Sequence, residues 1–321
     1  LSGETANGAF PAVTVETMAS IVANAEMGVE YQSQFSFIRY WNTLANTVAL
    51  NEVESACSAA SKIAVSFMTP FHADKKTPNN CIVVVQTEDG RHADLVSKYR
   101  PPFPVCVASP NDQVLRTARA KYAQVPLKIP LSEGPSAVVS KCVKLLSRQG
   151  YDLKRGVRAI FVGCDSGSQS PFVRVIKAGG SAMTQRPSSM MHPYGTTVEG
   201  EGIIACKRST HTNLELISTP LDVPRCTNII CTMGPKCWDE ETMGQLLDAG
   251  MDVIRLNFSH GTHEAHKEVL DRFRAVAEQK GKERMEQFNL AGPPQYAVLL
   301  DTKGPEIRTA MLRNHEPINL V

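Results

Sequence analysis

Nothing in this 321-residue chain approaches the run of about 18 consecutive apolar residues that a membrane-spanning helix needs. Its longest compact apolar stretches, such as Cys81-Ile82-Val83-Val84-Val85, have the length of a strand. Charge of one sign is also missing: 34 Lys and Arg stand against 32 Asp and Glu, a formal net charge of +2. Neither nucleic acid nor an anionic membrane is therefore called for as a partner. No Cys-x-x-Cys occurs, and the nine cysteines (57, 81, 106, 142, 164, 206, 226, 231, 237) are odd in number and scattered. That argues for reduced thiols in a cytoplasmic protein rather than a disulfide framework. Cys226, Cys231 and Cys237 lie close in sequence, yet their spacing fits no common zinc finger and two of them sit in a strand-like run, so buried thiols are expected. The chain opens at Leu1 with neither Met nor a signal-like basic region, and it stops at Val321 just after an apolar strand has begun. Both ends are expected to be cuts.

What is present is the composition of a globular protein, 42% hydrophobic and 21% charged, and enough chain for two domains. Residues 9–30 read as one helix, with Val15, Met18, Ala19 and Val22 near helical spacing and Pro11 in the first turn. Residues 31–50 read as a helical or irregular connector. From 51 onward helices and short apolar strands alternate: helix 53–68, strand 81–86, helix 91–99, strand 104–108, helix 112–122, strand 124–129, helix 134–149, strand 159–163. Such alternation predicts an α/β layered domain with a mostly parallel sheet over 51–177. Residues 178–210, with Gly179-Gly180, Pro187 and Pro193, hold no period and read as a linker. A second α/β unit follows: strand 226–232, helix 239–249 closed by Gly250, strand 251–260, helix 264–279 stopped near Gly281, strand 295–301. Polar residues gather at the C-terminal ends of its strands, where a (β/α) barrel carries its chemistry.

The strongest constellation is Arg255-Leu256-Asn257-Phe258-Ser259-His260-Gly261. Side chains alternate along a strand, so Arg255, Asn257 and Ser259 share one face and Leu256 and Phe258 the other. A guanidinium, an amide and a hydroxyl in one row suit an anionic ligand beside a hard cation, and a polar edge strand is the plainer alternative. A second constellation, Asp301-Thr302-Lys303-Gly304-Pro305-Glu306-Ile307-Arg308-Thr309, ends a strand and turns, gathering Asp301, Lys303 and Arg308 at one loop. It also reads as a turn with solvated charges. His260, His263 and His266 straddle a strand end and a helix start without a His-Glu-x-x-His, so a zinc site is not expected, and His260 is the one that could reach a nucleotide. Gly163-Cys164-Asp165-Ser166-Gly167-Ser168-Gln169-Ser170 could nest a phosphate, but no Gly-Lys-Ser follows and Asp165 would repel one, so an ordinary turn stands as well.

These residues resemble the pyruvate kinase family. Ile229 to Pro235 looks like its first barrel strand, Gly250 to His263 its second, and Asp301 to Thr309 its third. Leu1-Ser2-Gly3-Glu4-Thr5-Ala6-Asn7-Gly8 resembles the motif closing the last barrel strand, and 51–177, notably Leu95 to Arg100, resembles the C-terminal domain. The resemblance implies a partial (β/α)8 TIM barrel (strands 1–3 and the last helix) plus that α/β domain. Its divisions would be 1–30 (barrel end), 31–50 (connector), 51–177, 178–210 (linker), 211–312 (arm and barrel start) and 313–321 (start of the lid). The order of parts is inverted, as expected of a window across two kinase copies joined in tandem, and a circular permutation would give the same order.

By the resemblance, Arg255 contacts the phosphoryl group in transfer. Asn257, Ser259, Asp301 and Thr302 hold K⁺, and Arg255, Asn257, His260 and Arg308 face the phosphates of ADP or ATP. The implied reaction moves a phosphoryl group from phosphoenolpyruvate to ADP, the last step of glycolysis, in a cytoplasmic homo-oligomer (the family tetramer). The family's catalytic lysine, its Glu and Asp ligands for Mg²⁺ and a threonine near the proton-transfer site belong to the barrel's middle, which is absent between the two pieces, so the chain alone is expected to be inactive. A non-catalytic regulatory or assembly module is the alternative. Glu88, Asp89 and Asp165 stand where the resemblance places a sugar-bisphosphate effector, so weak or no such regulation is expected. Three barrel strands cannot close, so unpaired strand edges and association are expected too.

Overall fold

A computed structural model describes residues 1–45, 49–68, 81–149, 151, 153, 157–164, 171–178, 225–288, 295–305 and 307. Of the linker expected at 178–210, Ala178 ends a strand and 179–210 lie outside the described residues, as does the lid segment 313–321.

The first unit is built on a five-stranded sheet in the order β3-β2-β1-β4-β5, formed by β1 (Cys81–Gln86), β2 (Val105–Ser109), β3 (Gln124–Lys128), β4 (Val157–Cys164) and β5 (Pro171–Ala178). The first four strands run parallel, and β5 pairs antiparallel to β4. Covered on both faces, β1 reads as continuous hydrophobics rather than alternating ones. Cys81, Val83 and Val85 enter one core layer beneath α4 (Glu52–Ser66) and α5 (Arg91–Lys98), and Ile82 and Val84 enter the other beneath α7 (Pro135–Arg148). Helix α6 (Asp112–Ala118) completes the unit and starts at Asn111, whose side chain accepts from the Gln113 N–H. The edge strand β5 was not expected. Its apolar and polar residues follow neither a buried run nor a clean alternation, because both faces are only partly covered, Val173 by one core layer and Phe172, Ile176 and Ala178 by the other.

The second unit holds β6 (Ile230–Thr232), α8 (Glu240–Ala249), β7 (Val253–Asn257), α9 (His263–Phe288) and β8 (Ala297–Asp301), with parallel strands in the order β6-β7-β8. Asp239 caps α8 by accepting from the Thr242 N–H, and Gly250 closes it in the left-handed region at φ 111°. Helix α9 does not stop near Gly281. Lys280 pairs with Asp248, and Arg284 donates to the Leu247 carbonyl, so tertiary anchors outweigh the glycine's cost.

The chain's first residues join this second sheet. The helix expected over 9–30 is α2 (Pro11–Met27), and a short helix α1 (Gly3–Ala6) precedes it. Leu1 donates its N–H to the Ile230 carbonyl at 2.8 Å and accepts from the Thr232 N–H at 3.1 Å. Thr5 Oγ1 donates to the Thr232 carbonyl and Lys236 N–H to the Ala6 carbonyl. The outer edge of β6 is thus covered, which the expectation of three bare strands had missed. Val15 of α2 is fully buried among Ile229, Leu246 and Leu247, and Glu26 accepts from the Cys226 and Thr227 N–H groups. Gly234 is required by this seam: a Cβ there would lie 2.5 Å from the Ala6 Cβ. Helix α3 (Tyr31–Ala45), the connector, then leads to the first unit, where Phe35 packs on Tyr99.

The two units also touch directly. Asn228 donates to the Lys121 carbonyl, Ala123 N–H donates to the Cys226 carbonyl, and Arg119 approaches Asp252. Cys226, Cys231 and Cys237 are all buried, as expected, and burial pushes the Cys231 thiol up to about 12. Among the described residues no helix is long and apolar enough to cross a membrane.

Candidate active site

Strand β7 is the middle strand of its sheet, so its polar row is no edge feature. The hydrophobic alternate residues Ile254 and Leu256 are buried, while Arg255 and Asn257 are only partly covered and share the opposite face. Register does the rest. Thr232 of β6 stands opposite Arg255, and Asp301 of β8 stands opposite Asn257.

The Arg255 guanidinium bridges these neighbours. Its Nη1 donates to Thr232 Oγ1 at 2.8 Å, and its Nε and Nη2 donate to Asp301 Oδ2 at 2.9 and 2.5 Å. One planar cation is therefore held by three adjacent strands at their C-terminal ends, a geometry that a flexible ammonium would not keep. The resemblance implies a cation ligand in Asp301 and a phosphoryl contact in Arg255. Here they neutralise each other, and Thr232 is a site residue that the sequence reading did not single out.

After β7 the chain turns. Asn257 Oδ1 accepts from the Ser259 N–H at 3.1 Å, and the Phe258 N–H donates to the Asp301 carbonyl at 3.0 Å, which brings Asn257, Ser259 and Asp301 to one rim. Thr302 follows Asp301 and is exposed. The donors are amide, hydroxyl and carboxylate oxygens, a set suited to a hard cation such as K⁺. His260 is exposed on the turn, and Gly261 adopts φ 76°. His266 Nε2–H donates to the His260 carbonyl, and the ring stacks on Phe258 with centroids 4.5 Å apart. Among the described residues no group of three or more His, Cys, Asp or Glu is placed to hold a metal ion. Arg308 lies outside the described residues, while Lys303 is exposed on the loop after β8.

The two loops read as the effector region do meet. Asp89 accepts from Thr87 Oγ1 and from the Arg91 N–H, so its carboxylate is taken up within its own loop, and His92 reaches Cys164 across to β4. Residues 165–170 lie outside the described residues.

Comparison with known proteins bears on both units. The family model "Pyruvate kinase, alpha/beta domain" matches residues 54–176, and "Pyruvate kinase, barrel domain" matches 224–321. Pyruvate kinase of Eimeria tenella is 52% identical over 94 residues, which is 29% of this chain and 16% of that protein. That of Dictyostelium discoideum is 43% identical over 103 residues, 32% of this chain and 18% of that protein. The chain thus aligns with less than a fifth of the length of either relative. A solved structure, Cryptosporidium parvum pyruvate kinase in complex with ADP, superposes with a TM-score of 0.46 at 23% identity, over 55% of this chain and 33% of that one. The two family models cover one unit each and together take in well over half the residues; the chain belongs to the pyruvate kinase family, a family of phosphotransferases.

Proposed function

We propose that this chain supplies the phosphate-binding and K⁺-binding side of a pyruvate kinase active centre, acting in phosphoryl transfer from phosphoenolpyruvate to ADP. The observation carrying this reading is the Arg255 fork, held by Thr232 and Asp301 at the C-terminal ends of three parallel strands. Phosphoryl transfer depends on positioning and charge neutralisation, and a pre-oriented guanidinium offers both by exchanging the Asp301 carboxylate for phosphoryl oxygens. Asn257, Ser259, Asp301 and Thr302 would hold K⁺, which would supply positive charge beside the phosphates. His260, at the rim, and Arg308 would face the nucleotide.

The same reading makes residues 1–321 inactive alone, as part of a tandem-fused or permuted enzyme whose Mg²⁺ carboxylates and catalytic lysine come from elsewhere. A lactate-dehydrogenase-coupled assay with phosphoenolpyruvate, ADP, Mg²⁺ and K⁺ should give no turnover. Binding of ADP, read by calorimetry, should be measurable and should weaken about tenfold in Arg255→Met, the loss of one charge-assisted contact. Robust turnover would sink the incomplete-centre reading. ADP binding that ignores Arg255→Met would favour a non-catalytic module.

A further inference from the structure

One pair of side chains in the first unit combines a nucleophile, a proton acceptor and access to solvent. Cys164 ends β4, His92 is the second residue of α5, and Sγ and Nε2 stand 3.7 Å apart, hydrogen-bonding distance for sulfur. The other seven described cysteines are buried, while Cys164 is partly exposed, as is His92. The pair's surroundings are mixed. Cys57 of α4 lies near enough for the two thiols to oppose each other's ionisation. Burial lowers the His92 pKa, with Asp89 opposing and Arg91 reinforcing that shift, which favours the neutral ring that can accept a proton.

We propose that Cys164, with His92 as its proton acceptor, is a site of covalent modification by hydroperoxides and other soft electrophiles. The thiol gives its proton to His92 Nε2, and the thiolate sulfur attacks one oxygen of the peroxide. The O–O bond breaks as the S–O bond forms, and the leaving oxygen takes the proton back from the imidazolium. A thiol and a hydroperoxide become a sulfenic acid and an alcohol, or water for hydrogen peroxide; sulfur loses two electrons and the peroxide gains them. This site belongs to the α/β unit and shares no residue with the Arg255 centre.

The test is limited oxidation of the intact chain by hydrogen peroxide at pH 7 with dimedone as trap, the adducts being mapped by mass after digestion. Cys164 should carry most of the adduct, at least about tenfold ahead of each of the seven buried cysteines, as thiolate access requires. His92→Gln should slow its formation on the order of tenfold, the loss of a proton acceptor. An adduct spread over the buried cysteines or confined to Cys206, or a His92→Gln chain that reacts as fast as its parent, would overturn the proposal. Should His92→Gln fail to fold, the pH profile of iodoacetamide alkylation at Cys164 in the unaltered chain decides. An apparent pKa below the free-cysteine value of about 8.5 supports the pair, and a value at or above it refutes it.

Discussion

Replacing Asp252 by Ala should cost this chain on the order of 3 kcal/mol and loosen the coupling of its two units. Asp252 Oδ2 lies 2.8 Å from Arg225 Nη1 and accepts from the Ile229 N–H at 2.9 Å, while Oδ1 lies 3.7 Å from Arg119 Nη1. The three side chains are only 12%, 13% and 17% exposed, so water and salt screen the contact weakly. Removing the carboxylate strands two guanidiniums, a loss of about 3–5 kcal/mol for a buried pair, plus about 1 kcal/mol for the orphaned Ile229 N–H. The lower end is expected because Arg225 keeps the carbonyls of Thr227 and Gly250, and Arg119 keeps that of Gln295. Arg119 belongs to the first unit and Asp252 to the second, so the urea transitions of the two units should separate in part, while the bonds of Arg119 to Gln295, Asn228 to Lys121 and Ala123 to Cys226 still join them. With Trp41→Phe, the remaining Trp238 reports the second unit alone, against circular dichroism for the whole chain. A loss under about 1 kcal/mol, or coincident transitions in Asp252→Ala, would show that the bridge is ornamental.

Gly234→Ala should open the seam between residues 1–6 and β6, because its Cβ would meet the Ala6 backbone; a loss of about 2 kcal/mol is expected in thermal unfolding, and an unchanged melting temperature would count against the close approach. Glu26→Gln keeps the shape but removes the charge that receives the Cys226 and Thr227 N–H groups, and about 1 kcal/mol should go in the same assay. At alkaline pH the sign follows from burial. Burial, then the Glu54 carboxylate it bonds, raises Tyr99 to about 12, so its contribution is complete below pH 10 and lost between 10 and 12. Tyr99→Phe should flatten stability over that window, and an unchanged slope would refute the assignment. At acid pH, burial acts against Glu54, but hydrogen bonds from Lys98 and Tyr99 outweigh it and hold its pKa below the usual carboxylate value. That stability is present above about pH 4.5 and lost as pH falls through the lowered value, and Glu54→Gln should remove the loss.

Much of the fold was legible because buried parallel strands announce themselves. Cys81–Gln86 came out with its bounds intact, since both faces are covered and no polar residue interrupts the run until its end. Phe172 to Lys177 failed for the opposite reason, lying on an edge with partial cover. The Arg255 and Asn257 row followed from a period of two. Its closure by Thr232 and Asp301 did not, because strand register is set by packing across the sheet and no short stretch of sequence encodes it. The junction of α2 with α8 was likewise out of reach, since Val15 and Leu246 look like core positions of separate elements until the sheet brings them together.

The seam also sets a timetable. Leu1 and Ile230 are 229 positions apart, and at roughly 5–20 residues per second a ribosome needs about 10–50 s to pass from one to the other. Throughout that interval the α/β unit, whose contacts are local by comparison, can fold, while Ile229, Leu246 and Leu247, which cover Val15 here, are still to be made. In a nascent chain paused between these points the seam could not yet close, so assembly of the second unit would depend on elongation speed as well as on final stability.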